Sequence, residues 1–224
     1  MSKILFKYPT RNRLVWFQKT LLAYYDMLSD NCNFEFTITL DKDDADMDNA
    51  SIRLLMAALV NLTYFYGDHK NKIEACNADI DLKKDWDILI LVSDDMVPVV
   101  KDFDKIIVES MLKHFPDLDG ALHFNDGHEG DKRNITYSIL GRKLYEKIGH
   151  VYHPDYLSFF CDNEFTDVVK GMGKYHYDSR VIVEHQYWSC KGAPPKDSLY
   201  KRNSKMGRPD RETYLRRKAA GFPK

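Results

Sequence analysis

An apolar stretch at residues 88–93 is the strongest strand signal in the chain, and two acidic residues follow it directly. The stretch is too short to span a membrane and has the length of a fully buried strand. Pro98 comes shortly afterwards, where we expect it to end strand pairing. Ligands of open α/β sheets bind at the carboxyl ends of strands, so the pattern predicts a ligand site at Asp94 and Asp95. The plainer interpretation is a turn, which aspartate also favours.

Strand-like and helix-like patterns alternate through the first half of the chain. Short apolar or alternating segments predict strands over residues 4–8, 33–40, 64–66 and 88–93. Apolar residues at helical spacing predict helices between them, over residues 14–28, 49–62 and 73–80. This order predicts βαβ units and a mainly parallel sheet. Polar residues that follow the strands should then meet at one edge of the sheet.

The second half of the chain has a different pattern. Strands are predicted over residues 120–125, 137–140 and 180–184, and helices over residues 103–114, 141–149 and 162–170. His185 comes directly after the last of these strands, and Asp162 opens the last of these helices. From residue 191 onward the sequence predicts a linker and a basic tail.

Charge is unevenly distributed along the 224 residues. The formal net charge is −1, but residues 191–224 carry eleven Lys and Arg against three Asp and Glu, so the preceding residues carry −9. A basic tail on an acidic body favours contact with phosphate or another anionic partner. Three interpretations of the tail stay open. It could be a lid that closes over a diphosphate, or a solvated tail without a role. It could also be a docking segment, whose partner would be nucleic acid, a membrane surface or a polyanionic acceptor. Tyr214 and Leu215 suggest local order and favour the lid.

The cysteines and the N-terminal sequence indicate the cellular compartment in which the protein would fold. Four cysteines are scattered without CxxC spacing, which predicts neither a zinc site nor a disulfide framework and favours a reducing compartment. The first apolar run is too short for a signal peptide, and no stretch is long enough to span a bilayer. We therefore expect a cytoplasmic protein without an integral membrane segment. The basic tail could bind it peripherally to a membrane or a polyanion.

Six polar segments follow one another at corresponding points of the predicted fold. They are residues 9–13, Asp41, residues 71–77, residues 93–95, residues 162–164 and His185. In this order they resemble the GT-A-fold glycosyltransferases, particularly the small family-2-like enzymes, over about residues 3–190. No single segment is specific to the family, and the order of all six carries the resemblance. The triplet Ser93-Asp94-Asp95 departs from the strict Asp-X-Asp motif of the family, and the loop between residues 120 and 137 matches no acceptor class.

The resemblance implies a role for each segment. Asp95 is the favoured direct ligand of Mn²⁺ or Mg²⁺, with His185 as a second ligand. Asp162 is the favoured general base, and Glu164 is the runner-up. Asp41 would recognise the base of the nucleotide. The nucleotide-binding residues implied in this way are Thr10, Arg11, Arg13, Asp41, Lys72, Asn77 and Asp94, with Arg202 of the tail as an additional positive charge.

The resemblance also implies a fold and an activity. The fold is expected to be α/β of the GT-A (Rossmann-like) type, with a mainly parallel central sheet flanked by helices. Residues 1–190 would form the catalytic domain, with a nucleotide-binding half up to about residue 100 and an acceptor half from 101 to 190, and residues 191–224 a basic extension. The expected activity is metal-dependent, inverting transfer of a sugar from a nucleotide-sugar donor, first of all a UDP-sugar, to an acceptor hydroxyl. The acceptor stays open among a glycan, a lipid carrier, a protein and a modified nucleic acid.

Two other functions stay open. A sugar-nucleotide nucleotidyltransferase usually carries a glycine-rich basic loop after its first strand, and residues 9–13 contain no glycine. A non-catalytic nucleotide- or glycan-binding module of the same fold would not need the acidic residues that this chain retains. Single residues also have purely structural interpretations: Asp162 as a helix cap, His185 as a histidine at a sheet edge, and Arg11 and Asp41 as solvent-facing charges.

Overall fold

The computed structural model describes residues 2–81, 85–128, 134–186 and 198–223. In chain order its strands are β1 (Ile4–Pro9), β2 (Phe34–Asp41), β3 (Leu62–Gly67), β4 (Ile88–Leu91), β5 (Met96–Pro98), β6 (Ala121–Asn125), β7 (Ile139–Gly141), β8 (Tyr175–Val181) and β9 (Val183–His185). Its helices are α1 (Leu14–Met27), α2 (Ala50–Ala58), α3 (Lys72–Asn77), α4 (Phe103–His114), α5 (Arg142–Ile148), α6 (Cys161–Gly171), α7 (Ser198–Ser204) and α8 (Gly207–Ala219).

A seven-stranded sheet forms the centre of the fold, in the order β3-β2-β1-β4-β7-β6-β8. The first four strands are parallel, as the alternating pattern predicts. β7 runs antiparallel to both β4 and β6. β6 therefore points the same way as β4, and the carboxyl ends of β1, β2, β4 and β6 lie at one edge of the sheet. β5 and β9 form a separate antiparallel ribbon.

The sheet is covered on both faces, because side chains along a strand alternate between them. In β1, Ile4 and Phe6 belong to one buried cluster and Leu5 belongs to the other. β4 divides in the same way, with Ile90 in the first cluster and Leu89 in the second. A strand that is buried on both faces reads as a continuous apolar run, which explains the strength of the signal at residues 88–93.

Three predictions about individual elements are wrong. The strand predicted over residues 180–184 is instead the end of β8 and the start of β9, which belong to different sheets. The helix predicted to reach residue 62 ends at Ala58, and Asn61 takes a φ of 55° immediately before β3 begins at Leu62. Pro98 does not end strand pairing, because it lies within β5 and is opposite Val183 of β9. A proline is compatible with this position since β5 pairs on one side only, so the missing N–H can face away from the partner strand.

The C-terminal segment contains two helices where the sequence predicts a linker and tail. α8 packs against α6 and the loop before it through buried groups: Asp210 accepts hydrogen bonds from the backbone N–H groups of Leu157, Ser158 and Phe159, at 2.9, 2.8 and 2.7 Å. The predicted domain boundary at residue 190 falls outside the described residues and stays a prediction. In the described parts of the chain, no helix combines the length and the apolar composition needed to cross a bilayer.

Lys7 is a fully buried lysine in the central strand β1. Its ammonium group contacts the hydroxyl of Thr39, which in turn donates to Asp79 at 2.6 Å. Burial lowers the pKa of Lys7 to about 8, although the carboxylate of Asp79 acts in the opposite direction. Lys7 is therefore still mostly protonated at neutral pH, but the sheet interior makes its charged form less stable than it is in water.

We expect Lys7→Met to change the pH dependence of stability in a defined direction. The pKa of Lys7 is lower in the folded state than in the unfolded state, so between pH 8 and about 10.5 the unfolded chain binds more protons. The free energy of unfolding of the wild type should rise relative to that of Lys7→Met over this window, by at most about 1.4 kcal/mol per pH unit. Urea unfolding from pH 7 to 10.5 measures the difference.

Lys3→Met is the matched control, because Lys3 lies directly before β1 but is only half-buried. A difference between wild type and Lys7→Met that stays constant with pH would contradict the prediction.

Candidate functional site

A cleft of about 360 Å³ opens at the carboxyl ends of β1, β2 and β4. Its walls include the loop after β1, the start of α3, the start of α6, the end of β9 and α7. The residues predicted from the sequence that line it are Thr10, Arg11, Arg13, Asp41, Lys72, Asp94, Asp95, Asp162, His185 and Arg202. Asn77 and Glu164 are not among its lining residues.

Asp95 is almost completely buried in the wall of this cleft. Its Oδ1 accepts a hydrogen bond from the Ser93 hydroxyl at 2.5 Å, and its Oδ2 lies 3.3 Å from Nη1 of Arg13 and 3.4 Å from the Tyr200 hydroxyl. Burial favours the neutral carboxyl group, but His185, the Ser93 hydrogen bond and Arg13 together outweigh it and lower the pKa of Asp95. Asp95 is therefore an anion at neutral pH.

His185 reaches Asp95 because β5 and β9 pair with Met96 opposite His185. Nε2 of the imidazole lies 3.9 Å from Oδ2 of Asp95, and Nδ1 lies 3.8 Å from Oδ2 of Asp126. The backbone N–H of His185 donates to the carbonyl of Asp126 at 2.8 Å. The short ribbon thus places an imidazole between two carboxylates from different strand ends.

Asp94 is turned toward β1 and the loop that follows it. Its Oδ1 accepts hydrogen bonds from the hydroxyl groups of Tyr8 at 3.1 Å and Thr10 at 2.9 Å. Burial raises the pKa of Asp94 to about 7, although the charge of Arg13 and the Thr10 hydrogen bond act against it. Asp94 is therefore only partly ionised at neutral pH and fastens the loop after β1 to the end of β4.

Arg11 and Asp41 form another part of the cleft wall. Nη1 of Arg11 lies 2.6 Å from Oδ2 of Asp41, and Nη2 lies 2.9 Å from Oδ2 of Asp43. Oδ1 of Asp41 lies 2.8 Å from Nδ1 of His69, so both oxygens of Asp41 are engaged. Nε of Arg11 is buried and has no hydrogen-bond partner among the described residues. An unsatisfied buried donor in a cleft is a place where a ligand oxygen can bind.

Lys72 and Arg202 supply positive charge without an ion-pair partner in the described ranges. Lys72 begins α3, and Arg202 lies on α7. Lys72 keeps an exposed surface, and the desolvation of its ammonium group at the cleft wall would lower its pKa. The electrostatic interactions with Cys76, Asp95 and Asp162 outweigh that effect and raise the pKa. Lys72 is therefore a cation held close to the acidic groups of the cleft.

Asp162 lines the cleft from the first turn of α6. It is not the N-cap that the sequence suggests, because the cap residue is Phe160 and the helix begins at Cys161. The side chain of Asp162 is half-buried, and its Oδ1 accepts a hydrogen bond from the backbone N–H of Asn163 at 3.0 Å. Asp162 therefore places a carboxylate at the wall of the cleft.

Glu164, two residues further along α6, lies outside the cleft in a buried ion pair. Nε and Nη2 of Arg217 each approach its carboxylate to 2.8 Å, and the Tyr156 hydroxyl donates to it at 2.7 Å. Glu164 thus joins α6 to α8, and this geometry does not support it as a general base.

Asn77 also has a structural position outside the cleft. Its Oδ1 accepts hydrogen bonds from the backbone N–H groups of Val151 at 2.9 Å and Tyr152 at 3.1 Å, and its Nδ2 donates to the carbonyl of Tyr152 at 2.7 Å. The side chain fastens the end of α3 to the segment between α5 and α6, which does not support a direct contact with the nucleotide.

Solved structures that superimpose on this chain include glycosyltransferases. The mannosyltransferase PcManGT from Pyrobaculum calidifontis, in complex with GDP-Man and Mn²⁺, superimposes with a TM-score of 0.67 and 15% sequence identity over 86% of this chain and 58% of its own. Residues 1–349 of S. aureus TarS superimpose with a TM-score of 0.64 and 14% identity over 82% of this chain and 60% of their own. The same TarS fragment is also known in complex with UDP-GlcNAc.

This protein has the GT-A glycosyltransferase fold. The predicted fold class and the resemblance to GT-A enzymes are therefore confirmed. The chain spans about 60% of the length of the solved structures it matches. No protein-family model matches the chain, and no curated protein sequence does.

The GT-A cleft of this chain offers a partial ligand set for a divalent cation. Among the described residues, no three His, Cys, Asp or Glu side chains converge closely enough to hold a cation by themselves. Asp95 and His185 provide two donors 3.9 Å apart. Mg²⁺ in phosphate-transfer sites is commonly held by one or two carboxylates together with phosphate oxygens and water, so two protein donors fit a cation that a diphosphate completes.

Three side chains that contact the cleft-lining residues are absent from the predicted set: Asp126 contacts His185, His69 contacts Asp41, and Tyr200 contacts Asp95. Asp126 directly follows β6 and His69 comes shortly after β3, so the rule that polar residues at strand ends meet at one edge would have found both. Tyr200 lies in the basic tail, and the guanidinium group of Arg13 lies 4.8 Å from the centroid of the Tyr200 ring. No sequence pattern indicates that Tyr200 returns to the strand ends.

We expect Glu164→Gln to destabilise the protein. Removing one charge of a buried ion pair leaves Arg217 without its anion, which should lower the free energy of unfolding by about 3 kcal/mol. Urea denaturation measures the loss. Glu146→Gln is the matched control, because Glu146 pairs with Arg142 on the surface and the same change there should cost less than about 1 kcal/mol. Unchanged unfolding together with lost turnover would instead indicate a catalytic Glu164.

Proposed function

We propose that this protein is a metal-dependent glycosyltransferase that moves a sugar from a nucleotide-sugar donor to an acceptor hydroxyl. The proposal depends on one observation: the groups that this chemistry needs line a single cleft at the carboxyl ends of parallel strands. They are the carboxylate of Asp95 with the imidazole of His185, the ammonium group of Lys72, which has no ion pair with any described residue, and the carboxylate of Asp162 at the cleft wall. The GT-A fold and the ligands GDP-Man, Mn²⁺ and UDP-GlcNAc of its neighbours support the proposal.

Asp95 and His185 would hold Mn²⁺ or Mg²⁺ together with the diphosphate of the donor. Such a cation stabilises, as a Lewis acid, the negative charge that develops on the leaving diphosphate. Lys72 and Arg202 would bind the same diphosphate, because both line the cleft and neither has an ion pair within the described residues. Positive groups that are already in position when charge develops contribute strongly to catalysis.

Arg11 and Asp41 would bind the nucleoside of the donor, for which we infer a UDP-sugar. The unsatisfied Nε of Arg11 would donate to an oxygen of the nucleotide. Asp41 would act mainly by holding Arg11, since Arg11 and His69 already engage both of its oxygens. Thr10 and Arg13 would support this loop through their contacts with Asp94 and Asp95.

Asp162 would be the general base of an inverting reaction. In this reaction the acceptor hydroxyl attacks the anomeric carbon as the bond to the diphosphate breaks, and the base takes the hydroxyl proton. Asp162 is the favoured candidate because its half-buried carboxylate lines the cleft, whereas Glu164 is held by Arg217. The acceptor is a glycan, lipid carrier, protein or modified nucleic acid.

We expect Asp95→Asn to abolish the effect of metal on nucleotide binding. In the wild type, Mn²⁺ should strengthen UDP binding by about tenfold or more, because the cation links the Asp95 carboxylate to the diphosphate. Calorimetric titration of UDP with and without Mn²⁺ measures this, with GDP and CDP titrated in parallel. Asp117→Asn is the matched control, since Asp117 is exposed and pairs with Lys143 at the surface, away from the cleft lining.

The proposal would be refuted if folded wild-type protein bound none of the three nucleotides. Equal affinity with and without Mn²⁺ in the wild type would contradict the metal site while leaving the nucleotide site intact.

We expect Asp162→Asn to lower turnover by about 10²- to 10⁴-fold and to leave UDP affinity unchanged, because a general base acts on the acceptor and not on the nucleotide. UDP release from a UDP-sugar, with water or a panel of oligosaccharides as acceptor, measures turnover. Asp167→Asn is the control, since it makes the same change on α6 at a residue that pairs with Lys218. Wild-type turnover in Asp162→Asn would rule out this role.

A further inference from the structure

The two edge strands of the central sheet, β8 and β3, differ in how they are protected. An edge strand exposes main-chain N–H and C=O groups without partners, and proteins commonly protect such edges with charged residues, prolines or bulges. β8 carries an ion pair between Asp178 and Arg180 at 2.6 Å, and its register with β6 is shifted near its end. β3 contains no charged residue and no proline, and its register with β2 is unbroken. Of the two edges, β3 is therefore the one that is suited to pair with a further strand.

The main-chain groups of β3 point alternately toward β2 and away from it. The carbonyl groups of Asn61 and Gly67 accept hydrogen bonds from N–H groups of β2 and of the residue after it, at 2.7 and 2.9 Å. Odd-numbered residues of this segment therefore face β2, because the direction of the main-chain groups alternates along a strand. The N–H and C=O groups of Leu62, Tyr64 and Tyr66 face outward. No strand in the described ranges pairs with them.

The side chains along this edge are uncharged and mostly apolar or aromatic. Phe65 keeps 41% of its surface exposed, and Val60, in the turn before β3, keeps 68%. Tyr64 and Tyr66 are partly buried against the core and pack edge to face, with their ring centroids 6.1 Å apart. A strand that pairs here should itself be uncharged, because a charged group placed against this edge would lose hydration without gaining an ion pair.

A second copy of β3 meets these requirements. The outward-facing residues are 62, 64 and 66, so a two-fold axis at Tyr64 pairs two copies in antiparallel orientation with all of these main-chain groups satisfied. In this register Leu62 lies opposite Tyr66 of the second copy, and Thr63 lies opposite Phe65 of the second copy. Aromatic residues opposite aliphatic or β-branched ones are cross-strand pairs that stabilise sheets.

Charge and symmetry also favour a second copy of β3 as the partner. Asp68 is the first charged residue after β3 and would lie opposite Val60 of the second copy, so no like charges face each other. A contact between β3 and the β8 edge of another copy would leave an edge free at each end and could repeat into a filament, whereas β3 against β3 closes at two copies. The ion pair and the register shift of β8 disfavour the repeating contact.

We propose that β3 is a dimerisation edge, at which two copies of this chain pair about Tyr64 and join their two seven-stranded sheets into one. We expect one strand pair with its flanking side chains to bury less than about 1,200 Å², so the dimer should be reversible, with a Kd between about 1 µM and about 1 mM. Antiparallel strands point in opposite directions, so the two clefts open at opposite ends of the joined sheet. This inference does not depend on the proposed glycosyltransferase function.

Sedimentation velocity of the full chain over this concentration range tests the proposal. The wild type should change from monomer to dimer as its concentration rises. Tyr64→Lys places two like charges directly opposite each other at the axis and should raise the Kd by about tenfold or more. Tyr64→Glu should do the same, and an equal mixture of the two variants should recover the dimer because Lys then faces Glu. The matched control is Ser179→Lys, which adds the same charge at an exposed residue of β8 and should alter the Kd by less than about twofold.

Phe65→Lys is the second variant, since Tyr64 is partly buried and its replacement can unfold the chain, which circular dichroism would show. Phe65 is more exposed, and its two copies are diagonal neighbours across the axis, so this change should also raise the Kd. Any of four results would overturn the inference. They are a wild type that stays monomeric up to about 1 mM, a dimer that folded charged variants of β3 leave unchanged, an equal loss in Ser179→Lys, and a mixture of folded Tyr64→Lys and Tyr64→Glu that does not recover the dimer.

Discussion

Two adjacent carboxylates at the end of one buried strand are the constraint on which this cleft depends. Two neighbouring anions in a poorly solvated place repel each other and lose hydration, so their environments must differ. Asp94 turns to the hydroxyl groups of Tyr8 and Thr10, and its pKa rises to about 7. Asp95 turns to Ser93, Arg13 and His185, and its pKa falls. One carboxyl group thus supports the loop while the other carries the charge.

Much of the architecture follows from local patterns in the sequence. Residues 88–93 are apolar without alternation because β4 is covered on both faces, and the polar residues after β1, β2 and β4 meet because these strands are parallel. Seven of the ten cleft-lining residues that the sequence predicts follow from this rule, counting Lys72 after β3, whereas Asp162, His185 and Arg202 do not. Asp126 follows from it too, once β6 is known to point the same way as β4.

The remaining features depend on contacts between distant parts of the chain. β5 and β9 are three-residue strands, too short to show periodicity, and Pro98 obscures the first of them. Glu164 looks like a candidate base beside Asp162 because its partner Arg217 is 53 residues away. Helical spacing predicts that Asp162 and Glu164 point in different directions from α6. It does not predict which distant residue packs against each side of the helix. Tyr200 near Asp95 is hidden for the same reason.

The buried pairing of Glu164 with Arg217 has a consequence for the order in which the molecule is assembled during synthesis. Chains emerge from the ribosome N-terminus first, and early segments can fold before later ones exist. While α8 is still unmade, Glu164 has no cation to balance its charge, and the backbone N–H groups at residues 157–159 lack Asp210. The parallel half of the sheet can thus be complete while the region around α6 is still unsettled. That side of the cleft is finished late, by a helix that arrives after every strand of the sheet.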